Sequence, residues 1–359
     1  MQLRSLFELG VRGLGAVPHE VGPGIAAILG RMGYGGYWSE RQLAGWNLAY
    51  CYPDRSPAWR RWVAIQFFEH IVISAYEVFH AVSDPAGTEA RVTIEHGERL
   101  AEAIALGRGV VVATGHYGNF ALLPFILRNA SPDPAYIARA SKRKVGPLVQ
   151  AARNFYRASL KPIAGMHVLP SSLGGVLMAK RLLIQGNLLV VFSDLTWGVG
   201  GVPVTLMGVP HEVSRAPAAL ALHTGAVLLP VITRRTRDGR QLVTIERPIP
   251  PAEARSARAR ETLMMERFTA ILETYVRAEP AQWYWLHRSW RTNEFKVQSS
   301  KFKATGPERV RGLQVSGMQC FWGGIAFRQA SGQTSLTRGT IGENPAQRRP
   351  QLGTEKQER

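Results

Sequence analysis

A chain of 359 residues is long enough to bury a large core, and its 45% apolar composition places most of it in the globular class. Its 44 Lys and Arg against 26 Asp and Glu leave a net charge of +18, which favours anionic partners such as phospholipid headgroups, phosphorylated sugars, nucleic acid or an acidic carrier protein without choosing among them. The two cysteines, Cys51 and Cys320, exclude a disulfide framework and a cysteine metal site, and no apolar run of about 18 residues marks a spanning helix.

The first 38 residues carry scattered apolar side chains (Leu3, Leu6, Phe7, Leu9, Val11, Leu14, then Ile25 to Leu29). They lack the charged start, apolar block and cleavage site of a secretory signal, and read either as a membrane-interface segment or as a glycine-interrupted helix packed on the domain. From Ser39 to Val82 the pattern is helical, and "WRRWVAIQFFEHIVISAYEVFHAV" is apolar over much of its girth, broken by Gln66, Glu69, His70, Ser74 and Glu77, so it is buried or membrane-facing, with core packing the favoured reading. Strands and helices then alternate: strand "RVTIE", helix "GERLAEAIALG", strand "GVVVAT", a helix from Ala121 to Leu127, strand "AYIAR", helix "VGPLVQAARNFYRASL", strand "MHVLP", helix "LGGVLMAKRLLIQ" and strand "NLLVVFSD". Helix "APAALALHTG", strands "AVLLPVITRR" and "QLVTIERPI" and helix "RARETLMMERFTAILETYVRAE" complete the run. Alternation of this kind predicts an α/β fold with a largely parallel central sheet covered by helices on both faces, and the near-continuous apolar strands agree. Residues 39–295 form that domain; residues 296–359, rich in Gly, Gln, Ser and Arg without periodicity, read as a mostly disordered basic tail.

In an open parallel sheet reactive groups collect at the carboxyl ends of the strands. His116 follows "GVVVAT" directly and Asp194 follows "NLLVVFS" in the same way, so both fall on one edge. Gly115 and Gly118 beside the histidine let backbone approach a ligand. "GRGVVVATGHYGNFALLPF" resembles the signature block of the late lipid A acyltransferases, within the wider glycerolipid acyltransferase group, and so do "WNLAYCYPD", "AYIARASKRK", the stretch from "LLVVFSDLTWG" to "VITRR", and "PAQWYWLHRSWR". The resemblance covers about Ser39 to Arg291. It implies transfer of an acyl chain from an acyl carrier protein thioester to a hydroxyl of an anionic lipid or glycolipid, on the cytoplasmic face of a membrane. His116 matches the family's general base, Asp194 a family aspartate near the site, and Arg139, with Arg143 close by, an arginine that holds substrate. Gly118 and Asn119 fall in the motif where backbone or amide donors serve the oxyanion.

One departure is serious. The family motif places Glu or Asp five residues after the histidine, where this chain has Ala121, and Pro124 removes an N–H near the start of the next helix. Three readings follow: another carboxylate, best Asp194, orients the imidazole; His116 works weakly alone; or the protein binds lipid or acyl carrier protein without turnover. The cluster Arg139, Lys142, Arg143, Lys144, Arg153, Arg157 and Lys161 suits a phosphate or an acidic carrier, or is a solvated helix face. Nucleic acid is not expected as a partner, for the chain has no zinc, helix-turn-helix or aromatic RNA-binding signature. With no phosphate loop and no metal triad, no cofactor is implied. His211 and Glu212 follow "MGVP" in a loop, where they either reach the site or, on the favoured reading, face solvent; His287, among four aromatics, reads as core.

Overall fold

The computed structural model describes residue 13 and residues 16–138, 165–196 and 200–290. The helix expected at 145–160, the basic cluster that includes Arg139 and Arg143, and the C-terminal tail lie outside the described residues. Three helices come first: α1 (Gly22–Gly36), α2 (Trp38–Cys51) and the long α3 (Pro57–Ser83), which starts on a Ser56 side chain that accepts the Trp59 N–H. Short α4 (Pro85–Glu89) leads into the alternating part: β1 (Val92–Glu95), α5 (Gly97–Ala105), β2 (Val110–Thr114), a 3-10 turn (Phe120–Leu122), α6 (Leu123–Ile126), β3 (Ala135–Ala138), β4 (His167–Pro170), α7 (Leu173–Ile184) and β5 (Leu188–Phe192). A hairpin of β6 (Gly201–Leu206) and β7 (Val209–Ser214) precedes α8 (Ala216–Thr224), β8 (Val227–Arg235), β9 (Gln241–Ile245) and α9 (Ala257–Ala278).

Seven strands form one sheet in the order β1-β9-β8-β2-β5-β3-β4, with every pairing parallel except β8 against β9. Alternate residues of the central strands face opposite layers. Val111, Ala113, Leu189, Val191, Leu228 and Ile232 pack with α7, α8 and α9, through residues such as Leu183, Ala218, Met265 and Phe268. Val110, Val112, Leu188, Val190, Leu229 and Val231 pack with Leu100, Leu122, Leu123 and Val78 on the other side. Both faces are therefore dry, which is why these strands carry no polar alternation. Helix α3 serves both layers, Phe67 and Phe68 in the first and Val78 and Ala81 in the second.

The β6-β7 hairpin has no counterpart in the elements expected from sequence. Its two turn residues, Met207 and Gly208, have φ of 59° and 78°. That is the backbone of a primed hairpin turn, made here with methionine in place of the usual Asn or Asp. The anticipated helix from Ala121 to Leu127 is instead the 3-10 turn followed by four-residue α6. Pro124 falls in the first turn of α6, where a helix needs no N–H from it. Among the described residues no helix is long and apolar enough to cross a membrane.

Candidate active site

The register of two neighbouring strands brings the site together. β2 and β5 pair in parallel with Thr114 opposite Phe192, and Ser193 N–H continues the ladder by donating to the Thr114 carbonyl at 2.8 Å. His116 and Asp194, each two residues past its strand, thus leave the sheet edge side by side. One carboxylate oxygen of Asp194, Oδ1, lies 2.7 Å from His116 Nδ1; the other, Oδ2, accepts the His116 backbone N–H at 2.8 Å and the indole N–H of Trp283 at 3.0 Å.

Asp194 is completely buried, whereas the His116 side chain remains 20% exposed. Burial by itself would raise the Asp194 pKa, but the His116 charge and the hydrogen bonds from His116 and Trp283 outweigh it and hold the carboxyl below its ordinary value. An ionised carboxylate only accepts hydrogen bonds, so His116 carries its proton on Nδ1 and presents the Nε2 lone pair. No described residue hydrogen-bonds Nε2. The imidazole sits among aromatic rings, with centroids 5.0 Å from Phe120, 4.7 Å from Phe192 and 6.0 Å from Tyr284; Tyr136 extends this wall at 5.5 Å from Phe192. A base with an open lone pair, a buried anionic partner and an apolar flank can take a proton from a hydroxyl whose remaining bulk is apolar.

Behind the pair stands a second layer. The Asp194 carbonyl is 2.8 Å from His211 Nε2, so that imidazole nitrogen donates. His211 is 2% exposed and lies in β7, which corrects its expected place in an exposed loop. Trp283, His287 and Trp290 pack with it in a buried cluster, with ring centroids 4.9 Å apart for Trp283 and His287 and 4.4 Å for His287 and Trp290. Burial keeps the His287 imidazole neutral, pushing it down to about 3.

The loop after His116 is fixed by bonds on several sides. Tyr284 N–H donates to the His116 carbonyl and Gly118 N–H to the Gln282 carbonyl, both at 2.9 Å. Gly118 has φ +60°, and a Cβ there would stand 1.9 Å from the Thr233 carbonyl oxygen, so only glycine fits. Its carbonyl faces His70 Nε2 at 3.1 Å. His70 belongs to a buried polar network on α3. Arg235 donates to both carboxylate oxygens of Glu77 at 2.7 and 2.6 Å, to His70 Nδ1 at 2.8 Å and to Ser74 Oγ at 3.0 Å. Burial, with the Arg235 charge, pushes His70 down to about 3, so it is neutral, accepts from Arg235 and donates to Gly118. Asn119 Nδ2 donates to Glu77 Oε2 at 2.6 Å and to the Ser74 carbonyl at 3.2 Å.

These bonds change the reading of two expected substrate-binding residues. The N–H of Gly118 and the side-chain amide of Asn119 are engaged with protein partners, so of the donors the motif suggested at these two residues it is the Asn119 backbone N–H that these bonds leave for an oxyanion. Ala121 lies in the 3-10 turn and packs against the core layer of Leu122 and Leu123, with a half-buried methyl group. Trp283, Gln282, Arg235 and Glu77 are site residues that sequence reasoning missed, whereas the sequence already offers His211 as one that could reach the site. Only the α3 members left a trace, since His70, Ser74 and Glu77 recur at spacings of four and three along one helix face.

Comparison with known proteins bears on what this edge is for. The chain is 31% identical over 210 residues to the phosphatidylinositol mannoside acyltransferase of Mycolicibacterium smegmatis (strain ATCC 700084 / mc(2)155), a match covering 55% of this chain and 61% of that protein. The match thus spans less than two thirds of that relative's length. The model of the bacterial lipid A biosynthesis acyltransferase family matches residues 3–292, which include His116, Asp194 and Trp283. This chain belongs to the bacterial lipid A biosynthesis acyltransferase family.

Proposed function

We propose that the protein is a lipid acyltransferase in which His116 is the general base and Asp194 its orienting partner. The observation that carries the proposal is the 2.7 Å contact between His116 Nδ1 and a fully buried carboxylate, on an imidazole that stays 20% exposed beside Phe120 and Phe192. In the proposed reaction Nε2 takes the proton of an acceptor hydroxyl as its oxygen attacks the carbonyl carbon of an acyl thioester. The tetrahedral intermediate collapses with breakage of the C–S bond, and the imidazolium returns the proton to the leaving thiolate. Asp194 stabilises the transient imidazolium and holds the required tautomer, the role that an acid plays behind histidine in a hydrolase triad.

The donor is an acyl carrier protein thioester and the acceptor an anionic lipid or glycolipid at the cytoplasmic face of a membrane. Family membership and the name of the relative, a phosphatidylinositol mannoside acyltransferase, support a lipid or glycolipid acceptor, whereas the donor rests on the resemblance of the sequence blocks alone. Arg139 and Arg143 are assigned to the acceptor's phosphate on sequence alone. A binding protein without turnover was the alternative that Ala121 raised; an acid at Asp194 weighs against it. The test is mass spectrometry of lipids after the purified protein is incubated with acyl carrier protein thioester and a bacterial lipid extract. A new acylated species should form with the wild type and drop to background with His116→Ala. Undiminished product from His116→Ala would refute the assignment.

A further inference from the structure

The buried cluster behind the catalytic pair grips Asp194 at both ends. Trp283 donates its indole N–H to the carboxylate at 3.0 Å, and His211 Nε2 lies 2.8 Å from the main-chain carbonyl of the same residue. Asp194 stands one residue past Ser193, whose N–H makes the last ladder bond to β2, so the sheet itself no longer holds its peptide. Strand β7 takes over there. Ser214 N–H donates to the Ser193 carbonyl at 3.1 Å and His211 to the next carbonyl along, so two consecutive peptides at the sheet edge hang on one strand. The hairpin is anchored in turn on α9, where Glu273 accepts the Met207 N–H at 2.8 Å and Arg258 donates to the Gly201 carbonyl.

Packing alone does not account for a histidine at position 211. It is buried in β7 against the rings of His287 and Trp290, with centroids 5.9 and 5.3 Å away, a place that an apolar ring would fill without desolvating two nitrogens. Burial holds its pKa below the ordinary value against the pull of the Asp194 carbonyl and carboxylate, so the imidazole is neutral and its one proton sits on Nε2. Among the described residues nothing hydrogen-bonds His211 Nδ1, either nitrogen of His287 or the Trp290 indole N–H. Of the polar atoms in these three rings, His211 Nε2 is thus the one with a described protein partner, and that partner is the Asp194 peptide. We infer that His211 is a positioning residue: it fixes the peptide from which the carboxylate projects and, through it, the 2.7 Å contact with His116 Nδ1. The inference rests on the reading of His116 and Asp194 as the catalytic pair, and it makes the β6-β7 hairpin part of their support.

The experiment compares the full-length wild type with His211→Gln, whose amide N–H can take the place of the Nε2 donor, and His211→Phe, which keeps a ring and removes the donor. In His211→Phe, kcat for acyl transfer should fall about 10²-fold with KM changed at most about threefold, the loss that a shift of about 1 Å at a reacting group brings, and in His211→Gln it should return to within about fivefold of wild type. A second readout needs no substrate. The low-field proton resonance of the His116 imidazole N–H, assigned by its loss in His116→Ala, should keep its position in His211→Gln and move or vanish in His211→Phe. His211→Asn, too short to reach the carbonyl, should match His211→Phe in both readouts and replaces it if the Phe variant does not fold. Wild-type kcat and resonance in the variants without the donor overturn the inference. So does a His211→Gln variant as impaired as His211→Phe, which would mark a packing role. A wild type that transfers no acyl chain contradicts the proposed reaction instead, and the resonance then decides this inference by itself.

Discussion

Asp194→Asn is expected to lower kcat for acyl transfer by about 10⁴-fold while changing KM only a few-fold, an effect of the size seen when a triad acid becomes its amide. The reason is specific to the bonding pattern. The amide oxygen of asparagine can replace Oδ2, accepting the His116 N–H at 2.8 Å and the Trp283 indole N–H at 3.0 Å. That choice turns the NH₂ group toward His116 Nδ1, where Asp194 presents an acceptor at 2.7 Å. Nδ1 must then accept, the proton moves to Nε2, and the imidazole no longer has a lone pair for the incoming hydroxyl. Because the substitution is nearly isosteric, the fold and substrate binding survive. Steady-state kinetics with the acyl carrier protein thioester check this, and a variant keeping a tenth or more of wild-type kcat contradicts it.

Glu77→Ala should cost about 3–5 kcal/mol of folding stability, read from urea unfolding. It strands the Arg235 guanidinium, whose side chain is 11% exposed and whose two strongest bonds are to Glu77, and it leaves Asn119 Nδ2 without its partner at 2.6 Å. Glu77→Leu/Arg235→Met, which removes both charges at once, should recover much of that loss, since an uncompensated buried charge is the costly species. Turnover in the double variant should still fall at least about tenfold, because it also deletes the donor that fixes the His70 tautomer and, through it, the Gly118 carbonyl. A single variant destabilised by less than 1 kcal/mol would show that the pair is not coupled to the loop in this way.

The legible and illegible parts of the sequence divide along the range of the interactions. Apolar strands such as "GVVVA" and "LLVVF" announce a sheet buried on both faces, and their ends place His116 and Asp194 on one edge. That β2 and β5 are neighbours, in a register that sets the two side chains 2.7 Å apart, is a nonlocal pairing that no local pattern encodes. Ala121 looked like a missing part because the motif is read along the chain, whereas the carboxylate arrives from the next strand. Trp283 was hidden for the same reason, lying 89 residues from Asp194, and so was the bond of His211, a residue weighed for the site but expected to face solvent, to the Asp194 carbonyl. The β6-β7 hairpin escaped because Met207 occupies a left-handed turn position that sequence rules assign to Asn, Asp or Gly. Gly118 and the Asn119 side chain also brace the loop, through bonds to residues far along the chain that the motif does not reveal.

The central claim is that Asp194 does the orienting work for which the motif reserves position 121. Its most direct test is the rate of acyl transfer by the wild-type chain beside Ala121→Glu, in one assay with the same thioester and lipid acceptor. Because His116 Nδ1 already has its acceptor and Ala121 packs against an apolar layer, the wild type should turn over and the Glu variant should be no faster. Transfer that appears only when glutamate is installed at position 121 would contradict the account.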